Sequence, residues 1–134
     1  MNPRNALLIA AFLGVIGVAL GAFGAHALKA RLAEFGTVAR WETAVHYHLS
    51  HAVAIFVAGV WLRVGAGASR SAVGWAVRSW FAGIVLFSGS LYLLALKAPT
   101  WLGASAAPLG GLAFVAGWAW IAVAALAKPD KPVE

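Results

Sequence analysis

The chain has 134 residues, of which 63% are hydrophobic and only 10% are charged, and it carries a net charge of +6. So few polar side chains cannot coat a water-soluble globule of this length, which excludes a soluble domain and indicates that lipid is the solvent. Cysteine is absent, which excludes disulfide bonds, thiolate metal sites and thiol redox chemistry.

Four long apolar stretches follow one another along the chain, at residues 6–28, 44–62, 76–96 and 109–127. A helix that crosses a bilayer needs about 20 mostly apolar residues, and none of these stretches contains an acidic side chain. Long apolar runs without alternation favour helices over a barrel, and short connections make successive helices antiparallel. The sequence therefore predicts an all-α polytopic membrane protein, a single domain of four transmembrane helices in one bundle, with a disordered tail at 128–134.

The link between the first two stretches has a helical pattern of its own. Leu28, Leu32 and Phe35 recur at spacings of four and three residues, whereas the charged residues between them point elsewhere. This pattern predicts a short amphipathic helix that lies in the membrane interface between the first two spans.

The basic residues lie at the ends of the predicted spans, a distribution that indicates membrane orientation and gives no reason to expect a nucleic-acid partner. One side of the bundle carries six of them: Arg4, Arg63, Arg70, Arg78, Lys128 and Lys131. The other side carries four: Lys29, Arg31, Arg40 and Lys97. Because cytoplasmic loops carry the excess of Lys and Arg, this bias predicts that both termini lie in the cytoplasm.

The first span carries a stripe of four glycines at spacings of three, four and three residues: Gly14, Gly17, Gly21 and Gly24. Such spacing places them on one face of a helix, and small residues let two helices approach closely in lipid. Two alternatives are open, packing inside the bundle and an interface with a second copy or another membrane protein. Packing inside the bundle is the favoured one.

Antiparallel folding brings the ends of the first and third spans to the same side as the starts of the second and fourth. Polar side chains gather on that side: His26, Thr43, Tyr47, His48, His51, Ser88, Ser90 and Tyr92. Polar groups inside a membrane are costly and face the bundle interior, so this cluster is the candidate site. A span that starts at Ala44 places His51 about 10 Å below that start.

Three histidines of the cluster, His26, His48 and His51, are the residue type that a metal or haem site requires. No carboxylate or thiolate accompanies them, so hydrogen bonding across the bundle is favoured over a metal or haem site, and no cofactor is expected. A pocket for a small molecule or lipid is the third alternative. Enzyme activity is not expected, because the spans lack a carboxylate for proton exchange or a catalytic triad and the glycines follow no phosphate-loop pattern.

Four segments together resemble a known family: GAFGAHAL at 21–28, WETAVHYH at 41–48, LFSGSLY at 86–92 and PLGG at 108–111. The family is the small membrane-protein family known as domain of unknown function 423, which is similar to the eukaryotic transmembrane protein 256 group. The resemblance implies a four-helix protein of the bacterial inner membrane with no established activity. The resemblance also implies that every residue of the cluster except His48 belongs to the family's motif. His46 and His48 depart from the family's pattern.

Two hypotheses of function follow. The leading one is a non-enzymatic structural or accessory membrane protein, whose glycine stripe and polar cluster organise helix packing or docking onto a partner. The competing one is a binding or transport module, in which the polar cluster forms a pocket for a metal, haem or small molecule.

Overall fold

The computed structural model describes residues 1–65 and 69–127, except the side chains at 102 and 104, and these ranges contain helices and no strand. The helices in chain order are α1 (Pro3–Ala25), α2 (Lys29–Glu34), α3 (Val38–Val64), α4 (Arg70–Gly83), α5 (Gly89–Ala95) and α6 (Trp101–Leu126). A π-helical turn (Ile84–Ser88) joins α4 to α5, so that the three form one continuous helix, the third span. The predicted disordered tail at 128–134 lies outside the described residues.

Within the described ranges, four helices are long and apolar enough to cross a membrane: α1, α3, the third span and Ser105–Leu126 of α6. The predicted all-α, four-span architecture is confirmed. Successive spans run antiparallel because the connections between them are short. We call the side on which α2 lies the α2 side, and the opposite side, where α1 begins, the N-terminal side.

The helices extend beyond the apolar stretches that predict them. α3 begins at Val38, six residues before the predicted start, and α6 begins at Trp101, eight residues before it. Hydropathy marks where the hydrocarbon begins, whereas the helical hydrogen bonds of α3 continue through Arg40 and Glu42, whose charges can lie among the headgroups. α6 runs through Pro108, whose missing amide removes one hydrogen bond that a membrane helix tolerates.

The short helix predicted between the first two spans is confirmed as α2. Its Leu32 is 1% exposed and belongs to an apolar cluster with Trp41 and Tyr92. The link is also anchored at Thr37, whose hydroxyl donates to the Ala95 carbonyl at 2.8 Å. These contacts hold α2 against the ends of α3 and α5.

The bundle consists of two helix pairs, because α1 packs mainly on α3 and α6 packs mainly on the third span, while α3 and the third span join the pairs. Three glycines of the α1 stripe face side chains of α3: Gly17, Gly21 and Gly24. At Gly24 the neighbour is the Trp41 indole, whose Nε1 donates to the Leu20 carbonyl at 3.0 Å. A side chain at Gly14 would meet nothing within 4 Å, so three of the four glycines pack inside the bundle.

A second glycine stripe, which the sequence analysis missed, lies on α6 at spacings of seven residues: Gly103, Gly110 and Gly117. These glycines face three residues of the third span, respectively Leu94, Phe87 and Trp80. At Gly110 the approach is to backbone, since an added Cβ would lie 2.8 Å from the Cα of Phe87. The stripe therefore sets how closely α6 packs on the third span.

Candidate functional site

The buried polar side chains of the described residues lie on the α2 side or at the centre of the bundle. They are Thr37, His48, His51, Ser88 and Ser90, joined by the buried Tyr92. His51 is the central residue of α3 and lies about 20 Å along the helix from Val38. The predicted span, which starts at Ala44, puts His51 nearer the α2 side, because α3 itself begins six residues earlier at Val38.

Both ring nitrogens of His51 are engaged inside the bundle. Its Nδ1 lies 2.9 Å from the Tyr47 carbonyl, and a carbonyl only accepts, so Nδ1 carries the proton. Its Nε2 then accepts from the Trp118 indole, Nε1 to Nε2 being 3.4 Å. The ring stacks on Phe114 with centroids 3.7 Å apart. The imidazole is therefore neutral, and the lone pair that would bind a metal faces an indole donor.

His48 engages a different set of neighbours. It is 3% exposed, and its Nδ1 lies 3.4 Å from the Tyr92 hydroxyl. Tyr92 in turn contacts Trp41 edge to face, with ring centroids 4.8 Å apart. The Leu13 carbonyl lies near the His48 ring, yet Nε2 has no hydrogen-bond partner among the described residues.

Three buried polar atoms lack a hydrogen-bond partner within the described part of the chain: His48 Nε2, Trp80 Nε1 and Ser88 Oγ. Ser90, by contrast, donates from Oγ to the Phe87 carbonyl at 2.9 Å. Ser88 closes the π-helical turn, and such turns frequently occur at functional sites. Buried atoms without partners commonly mark a bound water, an ion or a ligand position.

The remaining residues of the predicted cluster lie apart from this interior group. His26 caps the end of α1 and is exposed. Thr43 is also exposed, and its hydroxyl donates to the Ala39 carbonyl one turn earlier at 2.8 Å. Tyr47 is 39% exposed, and its ring packs on that of Phe87 at 4.8 Å between centroids. Of the predicted cluster, five residues are buried, namely His48, His51, Ser88, Ser90 and Tyr92, and among these His48 contacts Tyr92.

The three histidines named as possible metal ligands do not converge. His26 lies at the surface, whereas His48 and His51 are buried and engage different partners. Within residues 1–65 and 69–127, no group of three histidine or acidic side chains is placed to hold a metal ion.

Two aromatic residues that contact His51, Phe114 and Trp118, were not predicted as site residues from the sequence. Phe114 and His51 each lie 13 residues after the first residue of their helices, so they meet at the same depth. Trp118 lies one turn farther along α6. The matching depths can be read from a sequence only once the helix starts are known, which hydropathy does not supply.

Comparisons with known proteins bear on the whole chain. The family described as "Protein of unknown function (DUF423)" matches residues 20–111, a range that contains every residue of the buried cluster. The UPF0382 membrane protein YwdK of Bacillus subtilis is 41% identical over 121 residues, covering 90% of this chain and 94% of the relative. The UPF0382 inner membrane protein YgdD of Escherichia coli K12 is 40% identical, covering 100% and 98%. No solved structure matches.

Proposed function

Because the chain belongs to the DUF423 family of membrane proteins, for which no activity is named, we propose from its geometry a non-enzymatic structural or accessory role in the membrane. The observation that supports this proposal best is the state of His51. Its proton is donated to the Tyr47 carbonyl and its lone pair faces the Trp118 indole. A histidine engaged on both nitrogens has no free nitrogen with which to bind a ligand or accept a proton, and the bond from Trp118 joins α6 to α3.

The physical role of such a centre follows from the solvent. Lipid provides no hydrophobic drive between helices, so a bundle depends on close packing and on hydrogen bonds across helices. The glycines of α1 and α6 supply the close packing, and the His51 to Trp118 bond joins the two helix pairs. The result is a rigid four-helix unit whose outer faces remain available to lipid or to a membrane partner.

A second candidate function is a binding or transport module that uses the buried His, Ser and Tyr cluster. The observation that favours it is that buried Ser88 Oγ and His48 Nε2 have no hydrogen-bond partner among the residues that the structure describes. A small molecule, metal or haem bound at either atom would give it the partner that a buried polar group requires.

An absorbance spectrum with elemental analysis and small-molecule mass spectrometry on gently extracted protein separates the two. The structural role predicts no Soret band, no stoichiometric metal and no co-purified small molecule. A stoichiometric ligand that is lost in His48→Ala and kept in His26→Ala, the exposed histidine, would establish the binding module and overturn the structural role.

We further propose that the protein lies in a bacterial inner membrane with both termini in the cytoplasm. The relative in Escherichia coli is named an inner membrane protein. From the order of the spans we assign six of the ten basic residues to the N-terminal side, including Lys128 and Lys131, which follow α6 in the sequence. The positive-inside rule assigns the richer side to the cytoplasm.

A further inference from the structure

A groove of about 490 Å³ lies between α1, α2 and α3 on the outer surface of the bundle, apart from the buried cluster. Its lining is mostly apolar and includes Gly21 of α1 with Val45 and Leu49 of α3. Val45 lies opposite Gly21. The volume falls in the range of ligand-binding clefts. Because the groove opens sideways from a membrane-spanning bundle, the molecules that reach it are those of the bilayer.

One row of α3 makes this groove partly polar, with Glu42, His46 and Ser50 at successive spacings of four residues. The Ser50 hydroxyl donates to the His46 carbonyl at 2.7 Å and is satisfied within the helix. Glu42 is exposed and has no hydrogen bond or ion pair with any residue in the described ranges. Glu42 therefore holds a free negative charge at one end of an apolar groove.

The depth of the groove matches an amphiphile. Glu42 lies four residues after Val38, about 6 Å along α3 from its α2-side end, which is where headgroups meet the hydrocarbon. Ser50 lies about 18 Å along the helix, near the centre of the bilayer. A charged head at Glu42 would thus place an apolar chain along Val45 and Leu49.

We propose that this groove binds a phospholipid of the surrounding bilayer that carries an ammonium headgroup, phosphatidylethanolamine. The ammonium group pairs with the Glu42 carboxylate in a charge-assisted hydrogen bond, which is strong where water is scarce. One acyl chain lies in the groove against Gly21 and Leu49. Lys29 and Arg31 precede Leu32, the α2 residue that lines the groove, by three residues and one residue. They bring positive charge to the side where the lipid phosphate lies.

The test uses full-length protein in bilayers that contain equal amounts of phosphatidylethanolamine and phosphatidylglycerol. The protein is released gently, and native mass spectrometry identifies the lipids that stay bound to it. We expect wild-type protein to retain phosphatidylethanolamine over phosphatidylglycerol, and Glu42→Gln to lower that ratio roughly tenfold, as loss of a charge-assisted bond implies. Glu42→Lys should reverse the preference. Glu34→Gln is the matched control, since Glu34 is exposed on the α2 side and does not line the groove.

Three results would overturn the proposal. The first is equal retention of both lipids by wild-type and Glu42→Gln proteins with unchanged thermal unfolding. The second is Glu42-dependent binding of dodecyltrimethylammonium without retained phospholipid, which would assign the groove to a free amphiphilic cation. The third is efficient disulfide dimerisation of Ser50→Cys in native membranes, which would assign it to a second copy; the chain has no other cysteine.

Discussion

At the residue scale, the bond from Trp118 to His51 joins α6 to α3 at the centre of the bundle. Trp118→Phe keeps an aromatic ring but removes the indole donor, which leaves His51 Nε2 without a partner. We expect a loss of about 1 kcal/mol in the free energy of unfolding. His51→Ala also removes the stack on Phe114 at 3.7 Å and should lose about 2 to 4 kcal/mol. Denaturation in detergent micelles measures both.

The double variant His51→Ala/Trp118→Phe should lose less than the two single variants together, because both remove the same hydrogen bond. Trp101→Phe is the control, since Trp101 is 68% exposed at the start of α6, and it should change stability by less than about 0.5 kcal/mol. Strict additivity of the double variant would mean that the bond contributes nothing to the native bundle.

The sequence predicts which polar residues gather but not which partners they take. The antiparallel order of the spans predicts that His48, His51 and Ser88 lie on one side of the bundle, and all three are buried. The partner of His51 depends on the rotation of α6 about its axis, and the near-zero apolar asymmetry of that helix leaves this rotation undetermined. Trp118 therefore resembles an ordinary lipid-facing residue until the helix is placed.

At the scale of the element, the packing of α6 on the third span depends on Gly110. A methyl group there would meet the backbone of Phe87 in the π-helical turn, and backbone cannot rotate away as a side chain can. We expect Gly110→Ala to lower the free energy of unfolding by about 2 to 3 kcal/mol. The adjacent Gly111→Ala is a matched control, because its Cβ would meet nothing within 4 Å. Equal unfolding midpoints for the two variants would refute this contact.

The elements themselves show where hydropathy suffices and where it does not. It finds all four spans, because about 20 apolar residues have few alternatives to a membrane helix. It misplaces the start of α3, since Arg40 and Glu42 continue the helix outside the hydrocarbon. It is silent on the π-helical turn at Ile84–Ser88, because a change in backbone hydrogen bonding leaves the apolar stretch uninterrupted. The seven-residue spacing of the α6 glycines, by contrast, is visible in the sequence and indicates a face of close helix packing.

At the scale of the whole molecule, the two helix pairs enclose a polar interior that reaches from the α2 side to the centre, while the buried residues toward the N-terminal side are apolar. The polar interior does not show which side faces the cytoplasm. Orientation follows the basic residues at the ends of the spans, and both sides of the bundle carry them. The orientation instead depends on the small excess of charge contributed by the chain's end, six basic residues against four.

The absence of cysteine makes the orientation directly measurable. Ala33→Cys places a thiol on exposed α2, and Ser71→Cys places one at the exposed start of α4 on the opposite side. With both termini in the cytoplasm, a membrane-impermeant maleimide should label Ala33→Cys in intact spheroplasts and label Ser71→Cys only after permeabilisation. The reverse pattern would place both termini outside. Equal labelling of the two variants would show insertion in both orientations, which a difference of two charges is small enough to permit.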